Sequence, residues 1–358
     1  MKLTKLNELQ MPTWQWLHMN AAELELKAEL GGAYGGGTLS GIEQVEMERS
    51  ITPLKILALP ADLDRLRGFI LRHQNYGLTV TIPKGVRCEN PVVLDFILDE
   101  SSPVLLDVLH IRGEEDSRAD VVVRYSSSGG GEYFHGGFVF LQAEPGSDVR
   151  LIKIQKMGEE DVHLDGTAVC VGEGAKGSAL FCELGGEQVV SGCNLSLEGA
   201  GSRGELDTLY LGSGERKQDF NYRLELRGPT AEGSISVKGA LAGQARKVLK
   251  STLDFITGTS GSKGVEEETV LTLSDRVVNL STPLLLCGEA DVEGAHATSS
   301  GRPDPGKLYY LMSRGLSGQE AKRLLVEASF TPILNKLPTR ELQDAVYEKI
   351  WEVVHHES

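Results

Sequence analysis

His296 lies in GAHATSSG, residues 294–301, among side chains too small to bury an imidazole. Cys287 stands nine residues before it, in PLLLCGEADVEG. Neutral imidazole and thiolate are both ligands of transition metals. A closed metal site uses about four ligands. One His and one Cys therefore make at most part of a site, and the rest must come from elsewhere. The bland alternatives are a hydrogen-bonded histidine and an inert thiol. Cys88, Cys170, Cys182 and Cys193 complete an odd set of five cysteines with no CxxC, a poor disulfide framework and a weak metal signature. Buried thiols behaving as small hydrophobes are the expectation for most of them. Cys170, Cys182 and Cys193 recur at about one-strand spacing, which allows them to stack.

A second set of residues suits recognition. In KLYYLMSRGL, residues 307–316, Tyr309, Tyr310, Arg314 and Leu316 are types that anchor protein interfaces, and packing of a terminal helix accounts for some of them. Gly315 sits where that helix would end. Ser317 and Glu320 have the spacing of a capping box opening a second helix, GQEAKRLLVEASFTPIL. A third helix is expected over ELQDAVYEKIWEVV. No GxxxxGK[ST] pattern occurs, so any ATP hydrolysis must be supplied by a partner.

These groups need a frame to hold them. From residue 77 the period is two: GLTVTIPKGV, PVVLDFILD, VLLDVLHIR and ADVVVRYSS are short, rich in Val, Ile and Leu, and cut by turn residues. Turns then recur near Gly146, Gly172, Gly199, Gly228 and Gly258, at intervals of roughly 26 to 30 residues. Each repeat holds two strand runs: DVRLIKIQ and VHLDGTAVCV, SALFCEL and VSGCNLSLEG, ELDTLYLG and DFNYRLELRG, SISVKGA and RKVLKSTLDFIT, ETVLTLS and PLLLCGEADVEG. Two strands per period with no helix between them fit the coils of a β-solenoid, each stable only when stacked. A sandwich or propeller competes, but no blade signature is present.

Before the strands, residues 1–76 are expected to be mostly helical, with MPTWQWLHMNAAELEL and ALPADLDRLRGFILRHQ at helical spacing. In the latter, Leu59, Leu63, Leu66, Ile70 and Leu71 make one face, and Asp62 and Asp64 suit the positive helix start. The glycine-rich GGAYGGG between them is expected to be mobile. The organisation is thus an N-terminal helical region (1–76), a β-helix core (77–302) and a C-terminal helical domain (303–358).

Composition narrows the function. The chain has 358 residues, 42 of them glycine, and a formal net charge of −15 that repels phosphate backbones. Nucleic acid is excluded as a partner, and no apolar run approaches the ~18 residues of a membrane span. The N-terminus lacks the apolar core of a secretory signal, which makes cytoplasmic the expectation.

The run GAHATSSGRPDPGKLYYLMSRGLSGQEAKRLLVEASF resembles the SufB/SufD family, the scaffold subunits of the Suf iron–sulfur cluster assembly machinery. The matching residues are His296, Tyr309–Tyr310–Leu311, Ser313–Arg314–Gly315 and Glu320 to Leu325. Upstream, GLTVTIPKGVRCENPVVLDF is similar to the family's entry into its β-helix, with the Ile-Pro-Lys-Gly turn intact. The resemblance implies a mainly β fold, a right-handed parallel β-helix flanked by N-terminal and C-terminal α-helical regions. SufB-type chains follow the His with Glu and carry a Cys on the preceding run. Here Ala297 follows His296, and Val277 and Val278 occupy the Cys position, so the chain is SufD-like.

The resemblance further implies a non-catalytic scaffold that pairs with a SufB-like or identical subunit as a dimer. It places a SufC-type ATPase against Tyr309, Tyr310, Arg314, Gly315, Leu316, Glu320 and Leu325. An iron–sulfur cluster would be held only transiently and in the complex, with flavin a further cofactor suggested for some members. The competing functions are a cytoplasmic β-helix carbohydrate-active enzyme, whose paired carboxylates isolated Asp and Glu could supply, and a purely structural solenoid binding module.

Overall fold

Short alternating runs cut by glycine turns suit strands that bury one face. In the computed structural model, which describes residues 1–9, 17, 19–27, 29–49 and 59–355, those runs stack as a parallel solenoid. Four short strands come first, β1 (Lys2–Leu6), β2 (Ala22–Glu25), β3 (Thr38–Ser40) and β4 (Glu46–Glu48), then helix α1 (Ala61–His73). The coils follow as pairs: β5 (Tyr76–Ile82) with β6 (Val92–Leu98), β7 (Val104–Gly113) with β8 (Arg118–Ser127), β9 (Phe134–Ala143) with β10 (Asp148–Lys156), β11 (Val162–Val171) with β12 (Lys176–Glu183). The stack continues with β13 (Gln188–Leu197) and β14 (Arg203–Gly212), β15 (Lys217–Leu226) and β16 (Glu232–Leu241), β17 (Arg246–Phe255) and β18 (Ser262–Thr272), β19 (Val278–Cys287) and β20 (Val292–Gly301). Three helices close the chain, α2 (Pro305–Ser313), α3 (Gly318–Leu334) and α4 (Arg340–His355).

Odd and even strands from β5 onward form two facing parallel sheets, begun by β4 and β3, which pair antiparallel with β5 and β6. The last strands of the two sheets are β19 and β20. Parallel register stacks like on like. Ile111, Leu141, Val169, Leu195, Leu224 and Leu253 form one buried aliphatic column through six odd strands. Full burial of each contributes ~1.5–3 kcal/mol. The turns stack too: a Cβ on Gly228 would stand 2.1 Å from Gly199 O, so only glycine admits that coil-to-coil approach.

The helices cover the outer faces. On the odd sheet, Leu63, Leu66 and Ile70 of α1 join Leu6 and Leu24 against Leu106, Val108, Phe138 and Leu164. On the even sheet, Val326, Phe330 and Ile333 of α3 and Val346 and Ile350 of α4 pack on Val122, Ile152, Leu180 and Leu209. Lys336 pins this layer through ion pairs to Glu205 and Asp207 at 2.6 and 2.7 Å.

Several expectations need correction. Ala22–Glu25, the end of the helix expected from Met11, is strand β2, paired antiparallel with β1; residues 10–16 and 18 lie outside the described residues. A strand partner within reach outweighs the weak helical period of AELE. GGAYGGG is pinned rather than loose: Tyr34 is buried between Tyr76 and Phe96, and its hydroxyl bonds both N and O of Ile97 at 3.0 Å. Leu71 leaves the apolar face of α1 and is 40% exposed. PLLLCGEADVEG is not one strand but the end of β19, a turn and the start of β20. FHGGFVFLQA, whose paired glycines hide its alternation, is strand β9.

Candidate functional site

Among the described residues nothing caps the last coil of the solenoid: β19 and β20 each end a sheet, and every residue of β20 after Val292 is exposed. Glu266 of β18 points inward, because it accepts a hydrogen bond from Ser251 on the opposite sheet. His296 stacks on Glu266 and so belongs to the same inward column, at the open mouth. Burial pushes the Glu266 carboxyl up, against the lowering pull of the Ser251 hydroxyl and His296.

The cross-sheet register of this last coil is set at two points. Asn279 Nδ2 donates to Ser300 Oγ at 3.0 Å, and a Cβ on Gly294 would meet Leu285 Cδ1 at 3.1 Å. His296 therefore falls opposite Pro283, while Cys287 stands four residues further along β19, ~13 Å away at strand rise. Cys287 is an exposed free thiol on the same inward face, stacked on Phe255. The two share an end of the solenoid without sharing a ligand sphere. Among the described residues, no group of three or more His, Cys, Asp or Glu side chains is placed to hold a metal ion. The described side chains at this end do not by themselves make up a cluster's ligand set.

Beyond the open end, Asp304 caps α2 by accepting from Gly306 N at 2.7 Å, and Pro305 occupies its first turn. No side chain of α2 is buried. Tyr309 is 76% and Tyr310 57% exposed, and Met312 is exposed beside them. The Arg314 guanidinium lies 5.3 Å from the Tyr310 ring centroid. Gly315 has φ of 99°, which a glycine adopts without strain. Leu316 and Leu325 are half-buried. Glu320 completes the capping box, accepting from Ser317 N at 2.7 Å. Leu324 on α3 and Trp351 on α4 add exposed apolar surface.

The cysteines do not stack. Alternation along β11, β12 and β13 turns Cys193 inward, Cys182 outward beneath α3 and α4, and Cys170 outward on the odd sheet. Burial pushes Cys170 and Cys193 up to about 12 and Cys182 well upward, which leaves all three protonated and unreactive.

Sequence inspection missed a set of polar side chains inside the solenoid. His135 Nδ1 lies 2.8 Å from His163 Nδ1, and His135 Nε2 lies 2.6 Å from Asp107 Oδ1. Tyr125 donates to the other Asp107 oxygen at 3.0 Å. Lys153, buried, pairs with Asp165, donates to Thr167 at 2.5 Å and lies over the Phe181 ring. Glu183 Oε2 stands 3.7 Å from His163 Nε2. Burial pushes Glu183 up to about 8, with Asp165 adding to the rise, and burial holds His163 well below its ordinary value. Both of these side chains are therefore neutral at pH 7. Their signal was present as polar residues at inward positions of the strand alternation.

Known proteins carry the same architecture of sequence. Residues 96–329 match the SUF system FeS cluster assembly SufBD core domain. The chain is 29% identical over 273 residues to the iron–sulfur cluster assembly protein SufD of Bacillus subtilis, covering 74% of this chain and 61% of that relative's length. It is 26% identical over 302 residues to a SufBD family protein of Mycobacterium bovis, covering 82% of this chain and 74% of the relative. A SufBD family protein of Pyrococcus horikoshii is 23% identical over 282 residues, covering 76% and 61%. With the core match spanning most of a parallel β-solenoid, the chain belongs to the SufB/SufD family of iron–sulfur cluster assembly proteins and is SufD-like.

Proposed function

We propose that this chain is a non-catalytic scaffold subunit that pairs through the open end of its solenoid with a SufB-type chain or a second copy of itself. The observation that carries this reading is the uncapped last coil. Two parallel sheets end there in unpaired backbone, which soluble proteins ordinarily protect. Val265, Val278 and Leu285 expose 37–43% of their surface around it. His296 and Cys287 stand on that face as an incomplete donor set, which suits a transient iron–sulfur cargo whose remaining ligands come from the partner. The bare helix α2, with Tyr309, Tyr310, Arg314, Gly315 and Leu316, and the start of α3, with Glu320 and Leu325, form the surface on which we place a SufC-type ATPase.

The experiment is sedimentation of the purified chain alone and with a SufB-type chain, for wild type and Leu285→Glu. A charge in the middle of the apolar rim is expected to leave the monomer folded and to weaken pairing at least tenfold. Pairing of the variant at wild-type strength would place the interface elsewhere.

A further inference from the structure

Inside the solenoid the Tyr125 hydroxyl donates to a carboxylate, Asp107 Oδ2, at 3.0 Å. Both residues are buried, and Asp107 is held from its other side by His135 Nε2, 2.6 Å from Oδ1. A phenol gives up an electron readily when its hydroxyl proton has a base to go to, and a carboxylate is such a base whereas an amide carbonyl is not. Tyr34 and Tyr133, by contrast, donate to the backbone carbonyls of Ile97 and Ser128. Burial, with Asp107 adding to it, holds the Tyr125 phenol well above its ordinary value, so it keeps its proton until an electron leaves.

Rings connect this pair to the surface. Phe96 stacks on Tyr125 with centroids 5.6 Å and planes 15° apart, and Tyr76 meets Phe96 edge-on at 5.0 Å. Tyr34 closes the group, 6.1 Å from Tyr76 and 6.0 Å from Phe96. These are contact separations for aromatic rings. Tyr76 is half-buried, and the Arg49 guanidinium lies 5.8 Å from its centroid. On the inner side, the His135 ring centroid is 3.9 Å from that of Tyr125. The phenol thus stands between an aromatic path outward and a hydrogen-bonded base inward. Core packing accounts for the rings. It does not account for a carboxylate set against the phenol oxygen, since burying a charge costs stability.

We propose that Tyr125 and Asp107 form a one-electron redox site that quenches oxygen- or sulfur-centred radicals. Such a radical at the surface takes one electron from the ring group, by way of Tyr76 and Phe96, and one proton from solvent. It is thereby reduced to a hydroxyl compound or a thiol. Tyr125 supplies the electron, and in the same step its hydroxyl proton moves along the 3.0 Å hydrogen bond to Asp107 Oδ2. The phenolic O–H bond breaks, a carboxylic O–H bond forms, and a neutral phenoxyl radical remains on Tyr125. The interior loses one negative charge, the one that leaves with the electron. Iron and thiols meeting oxygen give rise to radicals of both kinds, so an iron–sulfur cluster assembly protein is exposed to them.

The test uses the full chain with photogenerated ruthenium(III) tris-bipyridine as the one-electron oxidant. Phenoxyl absorbance and electron paramagnetic resonance read the radicals. Wild type is expected to show a phenoxyl signal that outlives those of the exposed Tyr309 and Tyr310 at least tenfold and that forms more slowly after equilibration in heavy water. Tyr125→Phe, which keeps the ring, is expected to remove the long-lived signal and leave the short-lived ones. Asp107→Asn keeps the phenol, removes the base and is expected to slow formation of that signal at least tenfold. Thermal melts check folding, and Tyr125→Phe decides the matter alone where Asp107→Asn does not fold. A long-lived signal that survives in Tyr125→Phe would overturn the site, and so would its absence from wild type. Formation at one rate in heavy and light water would overturn the transfer to Asp107. None of these outcomes bears on pairing at the open end.

Discussion

At the scale of single residues, His296 is exposed and inward-facing at an uncapped end, so little of the fold depends on it. His296→Ala is expected to leave the melting temperature within error of wild type and to reduce cluster assembly by the complete complex sharply. A thermal melt beside an assembly assay checks this, and a normal melt with unchanged assembly would make His296 incidental. Glu183 makes the opposite kind of prediction. Its folded value, about 8, lies above its unfolded value, so the folded chain holds a proton that the unfolded chain releases. Stability from this group is complete below about pH 4.5 and is lost as pH rises towards 8, by about 1.4 kcal/mol per pH unit at most. Glu183→Gln removes that loss. Its stability relative to wild type, measured by denaturant unfolding, is expected to increase between pH 5 and 8. His110 runs the other way: burial, helped by Arg112, holds it at about 4, so its contribution is present above pH 6.5 and falls as the solution is acidified.

At the scale of elements, α2 and the start of α3 separate recognition from stability. Tyr310→Ala and Leu316→Ala are expected to weaken binding of a SufC-type ATPase by ~2 kcal/mol or more, as truncated interface anchors do. Calorimetry on folded variants checks it, and wild-type affinity in both would remove α2 from the interface. Ser317→Ala is the control within the same segment. It deletes the hydroxyl of the capping box and is expected to cost ~1 kcal/mol of stability, read by unfolding.

For the whole molecule, the separation of Cys287 from His296 along the last coil decides what the isolated chain can hold. Anaerobic reconstitution of this chain alone is expected to yield no stoichiometric, chelator-resistant cluster, measured by bound iron after chelation. A retained cluster would mean that the chain supplies a complete ligand set. The sheets themselves are a single stack in which each coil rests on its neighbours, so a change at one turn reaches the others. Gly228→Ala, whose Cβ would press on Gly199 O, is expected to destabilise the solenoid as a unit rather than one turn of it.

The amino-acid sequence by itself determined the two-strand period, the solenoid, the capping box at Ser317 and the helices after Pro305. These rest on local alternation, on glycine in tight turns and on contacts three or four residues apart, all of which are properties of short stretches. The tertiary structure decided the rest. Cys170, Cys182 and Cys193 look equivalent by spacing, yet the parity of each strand sends one inward and two outward. His296 and Cys287, nine residues apart, are separated by the cross-sheet register that Asn279 and Leu285 set. β2 forms because β1 lies within reach, whatever the helical period of AELE favours. Asp107, His135 and His163 meet inside the solenoid from three successive odd strands, 28 positions apart each. Only the parallel register, fixed by coil length and backbone pairing across the stack, brings such residues into line, because no local pattern records which side chain will stand above which.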